Sequence, residues 1–454
     1  MKIFNTLSGQ KEEFVPLDKN EVKMYVCGVT VYDVCHFGHA LSYISFDVVR
    51  RYLEYRGYHV KYAQNFTDID DKIINRSRER GIPWQELVEK YIAEFFIDMD
   101  ALNIKRATIY PRATEEVPVI IDVIKTLIEK KHAYVSVDGS VYFSVRSFPD
   151  YGKLTHQTAA EMRVTETLQA EKKEDPLDFA LWKAAKPGEP FWPSPWGDGR
   201  PGWHIECTAM SIHHLGKQID IHGGGQDLIF PHHENEIAQS ECYTGLQPFV
   251  RIWMHNGFLQ LGADKMSKSL GNLVTIKQVL ERNSADAIRL FIVSSHYRMP
   301  LRYSLEALDA AEAGIERMRQ ALRVEGKPGG PAVEATPFKV RFINAMDDDF
   351  NAPQAVAAMF DLVREINRGS EKSMDINGAK DTLKELAGVI GFTLREKRAV
   401  SAEVEAKILE LIEKRDTYRK AKAWKLADEV RDQLRKMGVT IEDTPAGTTW
   451  KLLH

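Results

Sequence analysis

The chain has 454 residues, of which 44% are hydrophobic and 28% charged, and its formal net charge is −4. This length is more than one hydrophobic core usually supports, so we expect roughly two to four domains of an ordinary globular protein. The sequence argues against a disulfide scaffold, because it has only four cysteines, and against a membrane or secreted protein, because no apolar run has spanning length and we expect no signal peptide. We therefore expect a cytoplasmic protein whose cysteines are reduced thiols or metal ligands.

The first part of the chain alternates strand-like and helical runs. The strand-like runs are Met24–Val29, Val60–Phe66, Gln218–His222 and Arg251–Leu259. Between the first two, apolar residues recur at helical spacing from Leu41 to Tyr55. This alternation predicts an α/β fold, a Rossmann-like doubly wound domain over residues 1–300.

A stretch from about residue 112 to residue 200 interrupts that rhythm. It contains a helical run at Val117–Lys130, a hairpin-like alternation at Ala133–Val145 and a loop rich in tryptophan, proline and glycine at Leu181–Trp203. We predict that it is an insertion into the doubly wound domain.

Beyond Leu301 the pattern becomes helical. The periodic runs are Leu305–Leu322, Phe338–Arg368 and Ala379–Ile390. They predict a helical bundle domain over residues 301–395. The remaining residues, 396–454, are expected to form a small C-terminal domain.

The C-terminal region carries a local excess of positive charge. Residues 407–436 contain ten Lys and Arg against six Asp and Glu, along a predicted helical hairpin, Ala402–Tyr418 and Ala423–Met437, that Gly438 would cap. The aromatic residues near these charges are Tyr418, Trp424 and Trp450. Aromatic and basic side chains together suit unpaired nucleic-acid bases. A solvated amphipathic hairpin is the alternative.

Two short signatures could each hold a nucleotide phosphate. The first, His36–His39 (His-Phe-Gly-His), stands at the start of the first helical run, where unpaired N–H groups and the helix dipole attract anions. The second, Lys265–Ser269 (Lys-Met-Ser-Lys-Ser), is a loop with two lysines, whose charge suits a pyrophosphate leaving group. Taken alone, each has an ordinary explanation. Together, and in this order, they indicate chemistry on ATP.

These signatures resemble the HIGH and KMSKS motifs of class I aminoacyl-tRNA synthetases. Further runs narrow the resemblance to the cysteinyl-tRNA synthetase family, and it covers nearly the whole chain. Those runs are Met24–Gly28, Thr67–Lys72, Gly202–Cys207 and Phe230–Glu236. Two positions depart from the family pattern: Phe37 replaces the usual isoleucine, and Leu41 stands where many relatives carry a basic residue.

The resemblance implies a catalytic domain with an inserted connective segment, a helical bundle and a C-terminal anticodon-binding domain. It implies ATP-dependent ligation of L-cysteine to tRNA(Cys) through cysteinyl-adenylate, with release of AMP and pyrophosphate. The implied partners are tRNA(Cys), L-cysteine and ATP with Mg²⁺, without a membrane, and the enzyme is expected to be a monomer.

The resemblance also implies one Zn²⁺ per chain, held by Cys27, Cys207, His232 and Glu236. His232 and Glu236 are one helical turn apart and so share a helix face, and two thiolates, an imidazole and a carboxylate make a reasonable tetrahedral shell. Each residue alone has an ordinary explanation as a buried cysteine or a surface His–Glu pair. Zinc would recognise the substrate thiolate, because a thiol ionises on the metal whereas the hydroxyl of serine keeps its proton.

The signature residues receive roles from the same resemblance. His36 and His39 would contact the triphosphate of ATP, Lys265 and Lys268 the leaving pyrophosphate, and Ser267 would add a hydrogen bond. The residues expected around the amino acid or the ribose are Thr67, Trp203, His222 and Asp227. The last of these could bind either the α-ammonium group or a ribose hydroxyl.

Other polar residues are weaker candidates. Three aspartates could suggest Mg²⁺, but helix capping or a role behind the direct ligands is favoured; they are Asp68, Asp70 and Asp71. Of the histidine pairs at 213–214 and 232–233, we assign only His232 to a metal.

Two rival functions stay open. One is a cysteine ligase with an amino-sugar acceptor, which would share the catalytic fold and the metal site but would have no use for a basic C-terminal hairpin. The other is a non-catalytic tRNA-binding paralogue, against which the intact His36, His39 and Lys268 argue.

Overall fold

The structure of the protein is a computed structural model, which describes residues 1–158, 161, 173–261, 264–265, 274–395, 402–444 and 447–452. The strands are, in chain order, β1 (Lys2–Asn5), β2 (Gln10–Glu13), β3 (Glu21–Thr30), β4 (His59–Thr67), β5 (Ala133–Val135), β6 (Val141–Phe143), β7 (Phe179–Ala184), β8 (Gly199–Pro201), β9 (Ile219–Gly225), β10 (Val250–Asn256), β11 (Leu259–Leu261), β12 (Asp264–Lys265), β13 (Leu301–Tyr303), β14 (Val439–Thr444) and β15 (Gly447–Leu452). The helices are α1 (Phe37–Tyr55), α2 (Asp71–Arg80), α3 (Trp84–Ala101), α4 (Val117–Glu129), α5 (Trp203–Leu215), α6 (Glu234–Thr244), α7 (Ile276–Leu280), α8 (Ala285–Val293), α9 (Leu305–Arg323), α10 (Thr336–Asp347), α11 (Ala352–Glu371), α12 (Asn377–Ile390), α13 (Ala402–Lys420) and α14 (Trp424–Lys436).

The central sheet has the strand order β10-β9-β3-β4, and all of its ladders are parallel. The next strand in sequence after β3 lies on one side of it, whereas β9 lies on the other, so the strand order reverses beside β3. In sheets of this kind, ligands bind outside the carboxyl ends of the strands at the reversal. The expected α/β, Rossmann-like fold is therefore confirmed.

The stretch between α4 and α5 forms a separate antiparallel sheet with the order β5-β6-β7-β8. The predicted hairpin at Ala133–Val145 supplies its first two strands. Buried side chains of this sheet and of α4 share one apolar cluster with Ile205, Ala209 and Met210 of α5. The inserted segment therefore packs directly on a helix that follows it in the chain.

In the helical part of the chain, one predicted helical run is interrupted in the structure. The run Phe338–Arg368 is two helices, α10 and α11, because Asp349 and Phe350 adopt φ angles of 62° and 50° between them. Asp349 is buried and accepts hydrogen bonds from the N–H of Phe4 and the hydroxyl of Tyr297. The break is thus stabilised by contacts to distant segments of the chain.

One buried arginine joins the α/β part to the helical part. Arg289 of α8 donates to the carboxylate of Asp47 on α1 and to the carbonyl oxygens of Leu102 and Ile390. Its side chain is fully buried, and one apolar cluster of buried residues extends from the central sheet to α12. These contacts fix α8 against both neighbours.

The C-terminal segment has a small core of its own. Side chains of α13 and α14 pack against the β14–β15 hairpin, and Arg415 donates to both carboxylate oxygens of Asp443 at 2.9 and 2.7 Å. Gly438 follows α14 with a φ of 74°, as its predicted capping role requires. Across the described ranges, we find no helix with both the length and the apolarity to cross a bilayer.

Candidate active site

Cys27 lies where β3 separates from β9. The ladder between these strands ends at Val26, and the register of β3 with β4 shifts between Val26 and Val29. Glycine is needed at position 28, because a Cβ on Gly28 would lie 1.6 Å from the carbonyl oxygen of Asn65. The thiol of Cys27 is therefore held, 7% exposed, at the edge where α/β sheets bind ligands.

Three further side chains reach Cys27 from later elements. Cys207 of α5 brings its Sγ to 3.8 Å from the Sγ of Cys27. Glu236, in the first turn of α6, brings its Oε1 to 3.7 Å from the same sulfur, and the Nε2 of His232 lies 2.9 Å from that oxygen. The ligand atoms of all four residues lie within 4.8 Å of one another, and all four side chains are buried. The structure thus brings together the four residues proposed as zinc ligands.

The electrostatics of this cluster fit a bound cation. Burial raises the pKa of Cys27 and that of Glu236 well above their usual values, whereas the hydrogen bond with Cys27 lowers the pKa of Cys207 to about 7. Within the described part of the chain, the Oε2 of Glu236 has no hydrogen-bond partner. A divalent ion would stabilise the thiolate and carboxylate forms, and these donor types are the ones that Zn²⁺ accepts. The residues present therefore fit Zn²⁺.

A second group of donors overlaps the first. The Nε2 atoms of His222 and His233 lie 3.5 and 3.2 Å from the Sγ of Cys27, and with Glu236 they form another set within 4.8 Å. Burial lowers the pKa of both histidines well below the usual value, so both rings are neutral and able to bind a metal. Sequence analysis did not assign His233. Its signal was a spacing of three residues from Glu236, which also places the two on one helix face.

His232 and His233 contact different side chains through their Nδ1 atoms. The Nδ1 of His232 lies 3.0 Å from the Nδ1 of His204, whereas the Nδ1 of His233 lies 2.7 Å from the Nε2 of His255. In turn, the Nδ1 of His255 lies 2.8 Å from the Oγ1 of Thr6. Such contacts set the tautomer and orientation of each ring. In both His232 and His233, Nε2 therefore faces the cluster.

The first signature forms the N-terminal cap of α1. The Nδ1 of His36 accepts from the N–H of Gly38 at 3.1 Å, and the Nδ1 of His39 accepts from the N–H of His36 at 3.2 Å. The two rings stack with their centroids 3.8 Å apart. Burial lowers the pKa of His39 well below its usual value. Because its Nδ1 is an acceptor, the neutral ring carries its proton on Nε2 and can donate to an anion at the helix start.

The chain just beyond the second signature lies against the first signature. An isolated β-bridge joins His36 to Thr275, and the N–H of Phe37 donates to the carbonyl oxygen of Val274 at 2.8 Å. Two segments that are far apart in sequence therefore meet at the start of α1.

Only part of the second signature is described. The backbone of Lys265 belongs to β12, which pairs with β11. Ser267 and Lys268 lie outside the described residues. The predicted contacts of all three with ATP stay predictions.

Two of the residues predicted for the amino-acid pocket border the cluster directly. Trp203 stacks on His232 with ring centroids 4.3 Å apart and is 38% exposed, so it lies between the cluster and solvent. His222 belongs to the overlapping donor set and stacks on Trp253 at 4.5 Å. An aromatic wall is therefore available beside the thiols.

The other two predicted pocket residues lie at the ends of central strands. Thr67, the last residue of β4, donates from its hydroxyl to the Oε2 of Glu206 at 2.8 Å. Glu206 is almost fully buried, and burial raises its pKa well above the usual value; sequence analysis missed it. Asp227 lies in the short helix Gln226–Leu228 that follows β9.

The three aspartates that follow β4 have structural partners. Asp70 is the N-cap of α2 and accepts from the N–H of Lys72 at 2.9 Å. Asp68 accepts from the N–H and the hydroxyl of Thr114, and Asp71 pairs with Lys183 at 3.1 Å. These contacts agree with the favoured non-metal reading.

Comparison with protein families gives three consecutive matches. Residues 13–313 match the tRNA synthetases class I (C) catalytic domain, residues 341–395 the DALR domain, and residues 401–450 the cysteinyl-tRNA ligase anticodon binding domain. The matches follow the order predicted from sequence.

Curated relatives are similar over their whole length. The cysteine–tRNA ligase of Dehalococcoides mccartyi (strain ATCC BAA-2100) is 55% identical over 456 residues, covering 100% of both chains. That of Sodalis glossinidius is 50% identical over 457 residues, covering 99% of both chains.

Solved structures share the fold at low sequence identity. Mycobacterium tuberculosis methionyl-tRNA synthetase in complex with methionyl-adenylate superposes with a TM-score of 0.56 at 15% identity, covering 82% of this chain and 89% of the other. Agrobacterium radiobacter LeuRS, in its ternary complex with tRNA and LeuAMS, gives a TM-score of 0.60 at 11% identity, covering 84% and 86%.

Proposed function

The chain belongs to the cysteine–tRNA ligases, which are class I aminoacyl-tRNA synthetases, and from that premise we propose that it joins L-cysteine to tRNA(Cys) in a reaction driven by ATP. The observation that carries this proposal is the buried cluster of two thiols, an imidazole and a carboxylate at the reversal of the central sheet. Donors of this kind suit a thiophilic ion, and such an ion suits a thiol substrate.

We assign one Zn²⁺ per chain to the set that contains the second cysteine. The reason is Cys207, whose Sγ lies 3.8 Å from the Sγ of Cys27 and whose pKa of about 7 leaves it partly ionised at neutral pH, whereas the overlapping histidine set would leave this thiol uncoordinated. The assigned ligands are Cys27, Cys207, His232 and Glu236. When bound, zinc would supply a soft Lewis acid that accepts a thiolate far more readily than a hydroxyl, and so favours cysteine over serine.

Two residues beside the ligands shape the space for the substrate. Trp203 covers His232 on the solvent side, and His222 stacks on Trp253. Thr67, at the end of β4, and Asp227, just beyond β9, are assigned to the amino acid or the ribose. Asp227 would bind either the α-ammonium group or a ribose hydroxyl.

The chemistry follows in two steps and needs no protein nucleophile. The carboxylate of cysteine attacks the α-phosphate of ATP, which gives cysteinyl-adenylate and pyrophosphate. A terminal ribose hydroxyl of tRNA then takes the cysteinyl group and AMP leaves. Catalysis on this scheme rests on orientation and on stabilising the charge of the transition state.

The phosphates are assigned to the start of α1 and to the second signature. Because each Nδ1 accepts a backbone N–H in the helix cap, Nε2 of His36 and of His39 would donate to the triphosphate. Lys265, Lys268 and Ser267 would stabilise the departing pyrophosphate, with Mg²⁺ arriving on ATP. The bridge between His36 and Thr275 supports this division, because it brings the chain just beyond the second signature to the first.

We assign RNA recognition to the C-terminal part of the chain. Residues 396–454 would bind the anticodon, residues 301–395 would form the bundle between it and the catalytic residues 1–300, and a monomer would suffice. The match of residues 401–450 to an anticodon binding domain supports this, and so does Trp424, which is 59% exposed among basic side chains. An amino-sugar acceptor would leave this segment without a role.

Cysteine-dependent exchange of pyrophosphate into ATP, followed by charging of tRNA(Cys), tests the proposal. We expect exchange with cysteine, very little with serine, and a charged tRNA as product. Absence of exchange would contradict the proposed enzymatic activity, whereas exchange without charging would favour a different acceptor.

A further inference from the structure

We propose that Glu116, His213 and His214 form a second site for a divalent first-row transition metal ion, separate from the cysteine-containing cluster. The Nδ1 of His213 lies 2.7 Å from one carboxylate oxygen of Glu116, and the Nε2 of His214 lies 2.6 Å from the other. One ligand atom from each residue lies within 4.8 Å of the other two. Two imidazoles and a carboxylate are a donor set that Zn²⁺, Co²⁺ and Ni²⁺ accept.

The convergence of these rings is unusual for neighbouring residues. Adjacent positions of a helix point in different directions, so His213 and His214 would not ordinarily share a partner. They stand in the last turn of α5, and their ring centroids are only 4.5 Å apart because both turn toward Glu116. The carboxylate enters between them from the residue that precedes α4.

An ion at this site would be held by two mostly buried ligands and would remain accessible to solvent on the side of the third. The side chain of Glu116 is 9% exposed and that of His214 18%, whereas His213 is 50% exposed. Two ligands are therefore fixed by packing, and the third faces solvent, from which water could complete the shell. Metal–ligand bonds of about 2.0–2.2 Å would need only a small outward movement of the three side chains.

This site would have a structural role. It would tie the start of α4, the first helix of the inserted segment, to the end of α5, the helix that also carries Cys207. Because His213 lies six residues beyond Cys207, the two sites are roughly 9 Å apart along the helix axis. A metal there would stabilise the packing of the insertion without touching substrate.

The test is metal content and thermal stability of the full-length protein at neutral pH. Equilibrium dialysis against Co²⁺ is expected to give two equivalents for the wild type and one for Glu116→Gln, with the thiolate-to-cobalt absorption band of the cysteine cluster unchanged. Glu115→Gln removes the neighbouring exposed carboxylate and is expected to keep both equivalents. Added Zn²⁺ should raise the melting temperature of the wild type more than that of Glu116→Gln.

The double variant His213→Gln/His214→Gln provides an independent arm if Glu116→Gln does not fold. It is also expected to bind one equivalent with an intact thiolate band. The proposal is overturned if the wild type binds a single equivalent that shows the thiolate band, or if a second equivalent survives the substitutions. Absence of the thiolate-to-cobalt band in the Co²⁺-loaded wild type would instead contradict the zinc assignment under the proposed function.

Discussion

Because His232 and His233 contact different side chains through Nδ1, the proposed assignment of the zinc ligands can be tested by experiment. We predict that His204→Phe weakens Zn²⁺ binding about 10–100-fold, the usual effect of removing a group that orients a metal ligand, which corresponds to about 1.4–2.7 kcal/mol. His204 contacts the Nδ1 of His232 at 3.0 Å, and this contact keeps Nε2 directed at the cluster. His255→Phe removes the equivalent contact of His233, so it should change zinc affinity by less than about threefold.

The assay is competition for Zn²⁺ between each full-length variant and a coloured chelator at constant pH, with circular dichroism as the check on folding. His204→Gln keeps a polar atom beside His232 and should recover part of the affinity that the phenylalanine loses. If His255→Phe weakens binding tenfold or more while His204→Phe does not, the metal uses the set with His222 and His233. The assignment of Cys207 as a zinc ligand would then be wrong.

Two further predictions concern the proposed phosphate site and the junction between the α/β and helical parts. His39→Asn should slow pyrophosphate exchange about 10²–10³-fold with metal content unchanged, because it removes one donor to the transition state; equal rates for variant and wild type would contradict the assignment. Arg289→Leu should lower the free energy of unfolding in denaturant titrations by about 3–5 kcal/mol, because it leaves Asp47 buried without its partner, whereas the exposed Arg282→Leu should cost under about 1 kcal/mol. Burial opposes ionisation of Asp47, but the charges of Arg289 and Arg51 hold its pKa below the usual 3.8. Its contribution should therefore be complete above about pH 4 and be lost as the pH falls through the lowered pKa, which the titrations repeated at acid pH would detect.

Most of the fold could be predicted because its elements carry clear local periodicity. The strand pattern at Met24–Val29 falls within β3, and the helical pattern from Leu41 to Tyr55 lies within α1. The break between α10 and α11 could not be predicted in the same way. It depends on Asp349, whose positive φ is held by groups far away in the chain, and periodicity does not register such contacts.

In the candidate site, too, the contacts between residues close in sequence could be predicted, whereas those between distant segments could not. His232 and Glu236 share a helix face, so their proximity follows from spacing alone. The meeting of Cys27 with Cys207 depends on the strand reversal beside β3, and sequence could suggest it only through family resemblance. His233 has a helical spacing to Glu236 as good as that of His232, and only the tertiary structure shows that both rings reach the cluster.

The central claim is that the cysteine-containing cluster distinguishes cysteine from serine, and the ratio of kcat/KM for these two amino acids in pyrophosphate exchange tests it most directly. The comparison is wild type against Cys207→Ser, with Cys242→Ser, whose thiol lies in α6 outside the cluster, as the matched control. We predict that Cys207→Ser lowers the ratio to about 10² or less, the level that an apolar pocket alone would give, while Cys242→Ser keeps the wild-type ratio. An unchanged ratio in folded Cys207→Ser would contradict the account.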